Sequence, residues 1–411
     1  MSLAMDARYS RAQCAACLLT TLIPVFYLLG SAVAHGAAIL VVILFLSHSA
    51  QTKNWTWLRE PWLKTALLLW AYIAVRALFT PHIAGSLGRG ASWLVYPLFA
   101  MACSRWTLRE ESMQRLLMAC LMLALMFLMF DCLLQYLTGS DLFGAASILT
   151  AEGARRLTGP LGGPKAGIVL TWFAFPAVAL LLSRSGSRDR ARGFVFTLVF
   201  LAVVFLSGER MALLLALFGF LLLFLLMPSA RKLLLLFGAA GAVAAALLVY
   251  SNPALLERQI ASTASSVGKV EATSYGQIWG SALKVVRDYP VFGVGVRQFR
   301  DVCQQPGYGA TDKDSLIWRC NLHPHHLYLE WLVETGAVGL MLFLAMIFFL
   351  LKPVAQHYRR LKGDPVFLGV LIAVILRIWP LSTAVSSFVP WSAIPLWLMT
   401  GWLLALKKED N

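Results

Sequence analysis

The chain has 411 residues, of which 59% are hydrophobic and 13% charged, and its mean hydropathy is +0.72. Ordinary soluble domains are about 45–50% apolar and about 25% charged, so this balance excludes that class and indicates an integral membrane protein. The formal net charge of +15 would suggest nucleic acid in a soluble protein. In a membrane protein it must first be divided between the two sides, and no nucleic-acid partner is expected.

Runs such as CLLTTLIPVFYLLGSAVA, LLLALFGFLLLFLLM and GLMLFLAMIFFLL are continuously apolar. Each approaches or exceeds the roughly 20 residues a helix needs to cross a bilayer. A β-barrel would instead alternate apolar and polar residues over segments of about 10. The expected fold is therefore all-α and polytopic, with about twelve spans. They fall near 14–34, 36–50, 62–80, 91–103, 113–137, 166–182, 193–208, 211–227, 232–250, 327–351, 366–381 and 386–406. This divides the chain into nine spans in 1–250, an outer loop domain in 251–326 and three more spans in 327–411. The first apolar run is span-length and precedes no soluble domain, so no cleavable signal is expected.

If the N-terminus is cytoplasmic, every cytoplasmic segment carries basic residues, for example Arg8 and Arg11, Arg105 and Arg109, and Arg359 and Arg360. The largest opposite segment, 251–326, exceeds the roughly 60 residues within which the positive-inside rule counts. Both termini are thus expected inside. Arg89, Arg155, Arg156, Lys165 and Arg210 then fall in short outer loops or at span ends, where topology argues against them. Either they snorkel to lipid headgroups or several of them bind an anion. Arg377, inside the eleventh span near Trp379 and Pro380, either snorkels or reaches the same place.

Two outer stretches follow in chain order. Residues 138–165 are rich in small residues and end in positive charge. In the second, SYGQIWGSALKVVRDYP predicts an amphipathic surface helix. Ser274 is its expected cap, Ile278, Trp279, Leu283 and Val286 its apolar face, and Pro290 its end. Lys284 and Arg287, three apart, share a face that can meet phosphates or headgroups. Cys14, Cys17, Cys103, Cys120 and Cys132 lie in or near spans and read as packing residues, leaving Cys303 and Cys320 as the disulfide candidate of an oxidising outer side.

The stretch HPHHLYLEWLVETG opens the tenth span. Three readings compete for His323, His325 and His326. Two of them could ligate zinc with Asp312 or Asp314, although no HExxH or Cys pair accompanies them. They could cap the helix. Or one could serve as a general base, kept neutral by nearby arginines. The DKD triplet at 312–314 is a second metal candidate, weighed against a solvated turn.

These residues resemble the O-antigen ligase and polymerase family. His325 matches the family's His, His326 stands where Asn is usual, and Tyr328, Glu334 and Gly336 complete that motif. Pro290, Gly293, Gly295 and Phe299 match a second element, and Arg156 with Gly159 a third, with Lys165 in place of a common Asn. SGER at 207–210 matches a fourth through Arg210. One departure is Tyr275, which stands where an Arg often precedes the amphipathic helix.

The resemblance implies a GT-C-like membrane glycosyltransferase of the bacterial inner membrane, working at the periplasmic face without a cofactor or metal. It would move a polysaccharide from undecaprenyl diphosphate to lipid A-core among membrane lipids. His325 would be the base and Arg156 and Arg210 the diphosphate clamp, with Arg89, Arg155, Lys165, Arg287, His326 and Tyr328 binding substrate. An O-antigen polymerase, a protein O-glycosyltransferase and, from another class, a transporter of lipid-linked glycan are the alternatives. The absence of an internal repeat counts against the transporter.

Overall fold

The computed structural model describes residues 10–150, 153–251, 273–308, 319–383 and 386–406, with scattered positions between 254 and 271. The fold is helical almost throughout. In chain order come α1 (Arg11–Leu29), α2 (Ser31–Thr52), α3 (Pro61–Ala77), α4 (Ile83–Trp93), α5 (Val95–Ala102), α6 (Glu111–Thr138), α7 (Ala166–Leu182), α8 (Ser187–Leu206), α9 (Arg210–Leu226) and α10 (Arg231–Ser251). Then follow α11 (Ser274–Asp288), α12 (Phe299–Cys303), α13 (Leu327–Leu361), α14 (Pro365–Ile378) and α15 (Pro390–Leu406). A short antiparallel ribbon, β1 (Ile148–Leu149) with β2 (Arg155–Arg156), lies in the loop after α6.

Among the described residues five helices are long and apolar enough to cross a membrane: α1, α2, α6, α10 and α13. Helices α7, α9, α14 and α15 are apolar but no longer than 17 residues. At about 1.5 Å per residue, 17 residues reach roughly 25 Å, slightly less than a typical hydrocarbon core.

The expected span at 91–103 is two helices. Pro97 has no N–H to give the Trp93 carbonyl, and α4 ends at Trp93. Arg89 consequently sits on a helix and not in a loop. The surface helix begins one residue earlier than expected: Thr273, not Ser274, is the cap, its hydroxyl accepting from Gly276 N at 3.0 Å. Ile278, Ala282 and Val285 form its buried face, whereas Leu283 is exposed. Leu283 lies five residues after Ile278, on the far side of a helix with 3.6 residues per turn.

The buried core runs between α7 and α14, between α3 and α13, and around α15. Gly369 of α14 rests directly on the backbone of Phe175 and Pro176 in α7, where any side chain would collide. Inside α13 the helix breaks at Gly336, whose φ of 66° suits glycine. The break frees backbone groups that the 290–295 segment takes up. Val294 N donates to Val333 O at 2.9 Å, Gly295 N to Glu334 O at 2.7 Å and Ala337 N to Pro290 O at 2.9 Å. The Pro-x-x-Gly-x-Gly and Glu-x-Gly elements, about forty residues apart in sequence, are therefore one backbone-paired unit. Tyr72 and Arg76 of α3 clamp it by donating to the carbonyls of Phe292, Gly293 and Thr335.

Candidate functional site

The outer loop after α6 is organised by two polar side chains of that apolar helix. Asp131 Oδ1 accepts from Leu142 N at 2.7 Å. Gln135 accepts from Thr158 N at 2.8 Å and Gly159 N at 3.2 Å, and donates to Thr158 Oγ1 and Ala145 O. These partners satisfy the Gln135 amide and one of the two Asp131 oxygens. They hold β2 against the turn between α8 and α9, where Leu157 N meets Ser207 O at 3.4 Å. Gly208 has a φ of 69°, and a Cβ there would lie 3.0 Å from Arg155 O and 3.4 Å from Arg156 Cγ. The turn can approach β2 this closely because Gly208 has no side chain.

That packing assembles a cationic turn. Arg156 lies beside Gly208 and donates to Pro164 O at 3.3 Å. Glu209 caps the approach to α9, and its Oε1 accepts from Gly167 N, in the first turn of α7, at 2.8 Å. Arg210 is the first residue of α9, and Lys165 immediately precedes α7. Desolvation pushes the Glu209 carboxyl up to about 7, against the opposing pull of the Gly167 N–H, Arg156, Ile168 N–H and Lys165. Desolvation also lowers the Lys165 ammonium, with Glu209 working against it. The Lys165 ammonium stands 4.5 Å over the Trp391 ring, which tilts against Trp172, and Trp172 carries the Arg377 guanidinium at 4.1 Å. Arg377 is thus buried, its Nη2 donating to Ser392 O and Oγ at 2.8 Å each.

Of the other predicted anion ligands, Arg155 gives Nη1 to Tyr136 O at 2.8 Å, holding its own loop. Arg89 reaches Phe388 O at 3.4 Å. Arg287 is exposed in the last turn of α11. Arg156, Lys165 and Arg210 thus lie on adjoining backbone elements beside a carboxylate of near-neutral affinity for protons.

The histidines form a second region. His326 is the N-cap of α13, its Nδ1 accepting from Leu329 N at 3.2 Å, and its backbone bridges to Thr383. The capping role therefore falls to His326. His325 has a φ of 53°, uncommon outside glycine. Its ring lies 4.1 Å from that of His323 and 5.7 Å from Tyr275. Burial lowers the proton affinity of all three imidazoles, and His323, with His325 beside it, drops to about 3. Helix α11 closes one side, Trp279 Nε1 donating to Pro324 O at 3.0 Å. The loop before the histidines is tied by the Cys303–Cys320 disulfide. Asp312 and Asp314 lie outside the described residues. Among the described residues no three His, Cys, Asp or Glu side chains are grouped to hold a metal ion.

Both regions touch the connection between α14 and α15, residues 379–389, or its ends. On the histidine side His326 bridges to Thr383, Tyr328 donates to Ile378 O at 2.6 Å, and Glu330 Oε2 accepts from Ser387 N at 2.8 Å. On the cationic side stand the Lys165–Trp391 and Arg377–Ser392 contacts. Composition gave no hint of this connection, and Glu209 and Trp391 escaped notice in the sequence. The Glu beside Arg210 in SGER was the one available signal.

A family model described as O-antigen ligase matches residues 193–344, from α8 to the middle of α13. It takes in Glu209, Arg210, α11 and the histidines. No curated protein matches the chain.

Proposed function

We propose that this chain, whose segment 193–344 matches the O-antigen ligase family model, transfers O-antigen polysaccharide from undecaprenyl diphosphate to a sugar hydroxyl of lipid A-core. The family supports a glycan-transferring membrane enzyme. The donor, acceptor and residue roles are the present reading. In it the twelve expected segments cross the inner membrane, both termini are cytoplasmic, and the two regions above face the periplasm.

The observation that carries the reading is the division of labour between those regions. His325 is desolvated and so held neutral, which is the state a base needs. Its imidazole takes the proton of the acceptor hydroxyl as that oxygen attacks the anomeric carbon. The bond from that carbon to the diphosphate oxygen breaks with inversion, and the electron pair leaves on the diphosphate. Arg156, Arg210 and Lys165 stabilise the developing charge, a role suited to guanidinium forks. With that charge already met by cations, the step is proposed to run without a metal. Arg89, tied to Phe388, and Tyr328, tied to Ile378, hold the α14–α15 connection in place.

The test mixes detergent-purified full-length protein with lipid-linked O-antigen and lipid A-core, without ATP and with EDTA. A ladder of glycosylated lipid A-core is expected. Lengthening of the lipid-linked glycan alone would make the protein a polymerase, and flux across vesicles without new bonds would make it a transporter.

A further inference from the structure

Tyr275 and Trp279 are one turn apart on α11, so they share a face, and their rings lie nearly parallel at 29° with centroids 6.4 Å apart. That face borders the one that packs: Ile278, Ala282 and Val285 are buried, while Tyr275, two turns before Ala282, is 40% exposed. The pair runs along the histidines. Tyr275 meets the His325 ring at 5.7 Å and Trp279 the His326 ring at 5.6 Å. Trp279 is fixed in orientation by its bond to Pro324 O. The result is a firm aromatic plane, half open, whose edge is the imidazole of His325.

A plane of this kind complements a sugar. A pyranose has one face of C–H bonds and a rim of hydroxyls, so a ring stacked on the aromatic pair directs a rim hydroxyl toward the imidazole. The aromatic plane carries no formal charge, whereas Arg156, Lys165 and Arg210 gather elsewhere. A diphosphate therefore favours the cationic turn, and the sugar that fits the aromatic plane is the one without phosphate at the reacting end. We propose that Tyr275 and Trp279 form the acceptor subsite, a stacking platform that presents a pyranose hydroxyl to His325. This rests on the reading of His325 as base.

Tyr and Trp also collect at membrane interfaces for reasons unrelated to sugars. An interface anchor is indifferent to the acceptor, so the two roles separate in kinetics. With full-length protein, Tyr275→Phe is expected to keep the acceptor KM within about twofold. Tyr275→Ser is expected to raise it roughly tenfold, the effect of losing an aromatic contact of about 1.4 kcal/mol, with donor KM unchanged. Saturation-transfer NMR with delipidated core oligosaccharide reads binding directly and needs no turnover. Signal in wild type and in His325→Ala but not in Tyr275→Ser supports the subsite. An unchanged acceptor KM together with undiminished transfer signal in Tyr275→Ser overturns it. Full turnover by His325→Ala would instead remove the base assignment, and the NMR result distinguishes that failure from loss of the subsite.

Discussion

The histidine corner and the cationic turn both touch the α14–α15 connection or its ends, yet they are built in opposite ways. In the corner, ring packs on ring and a disulfide closes the preceding loop, and burial disfavours the charged form of every histidine. In the turn, charge accumulates, and burial brings the Glu209 carboxyl to about 7 and lowers the Lys165 ammonium. A base must be neutral to accept a proton and a clamp must be charged to hold an oxyanion. In the proposed displacement both act on one anomeric carbon, the base beside the attacking oxygen and the clamp beside the departing one. The proposed division gives each task its own surroundings, with the α14–α15 connection touching both.

The sharpest way to break this division is at the base. His325→Ala should leave a folded protein with transfer reduced about 100- to 10,000-fold, measured as glycosylated lipid A-core in detergent, while donor binding stays intact. Near-normal turnover would leave the corner without its role. Arg210→Ala or Arg156→Ala should cost roughly 100- to 1,000-fold in kcat. Arg210→Lys should recover only part of the loss, since it keeps charge without the fork. Full activity in both Ala variants would refute the clamp.

Next in size is the disulfide. Cys303 and Cys320 lie 17 residues apart, and closing such a loop contributes about 3 kcal/mol, so Cys303→Ser with Cys320→Ser should lower the thermal midpoint measurably. An unchanged midpoint would show that the corner does not depend on it.

The smallest effect is the most diagnostic. Below about pH 7 Glu209 is protonated and neutral, which leaves the turn more positive; above it the carboxylate returns and opposes an anion. Donor KM should therefore rise severalfold between roughly pH 6 and pH 8 and be nearly flat in Glu209→Gln. Loss of kcat on the acid side should begin only below the ordinary histidine value of about 6.5, because His325 is lowered. A donor KM that rises equally in wild type and Glu209→Gln would remove Glu209 from the account.

Much of this architecture is legible without coordinates. Continuous apolar runs locate helices, although the expected span at 91–103 is divided between α4 and α5. The amphipathic spacing around Ile278 and the start of α13 at HPHH are equally local signals. What stayed hidden depends on partners distant in sequence. Asp131 and Gln135 read as stray polar residues in an apolar helix until the loop they fasten is seen. Glu209 is an unremarked neighbour of Arg210 until α7 donates an N–H to it across forty-two residues. Leu283 failed for a simpler reason: amphipathic faces are narrow, and one residue's displacement turns a side chain by about 100°.

The α14–α15 connection carries a consequence for engineering. Ile378, Thr383, Ser387 and Phe388 are engaged by α13 and its cap, Phe388 through the Trp331 ring at 4.9 Å, and Trp391 and Ser392 on the cationic side. Only Val389 and Pro390 separate the two sets. A single residue inserted after Phe388 would leave each region's own side chains untouched but shift the phase of one set of contacts relative to the other. Length here acts as a calibration, and that one added residue should abolish transfer.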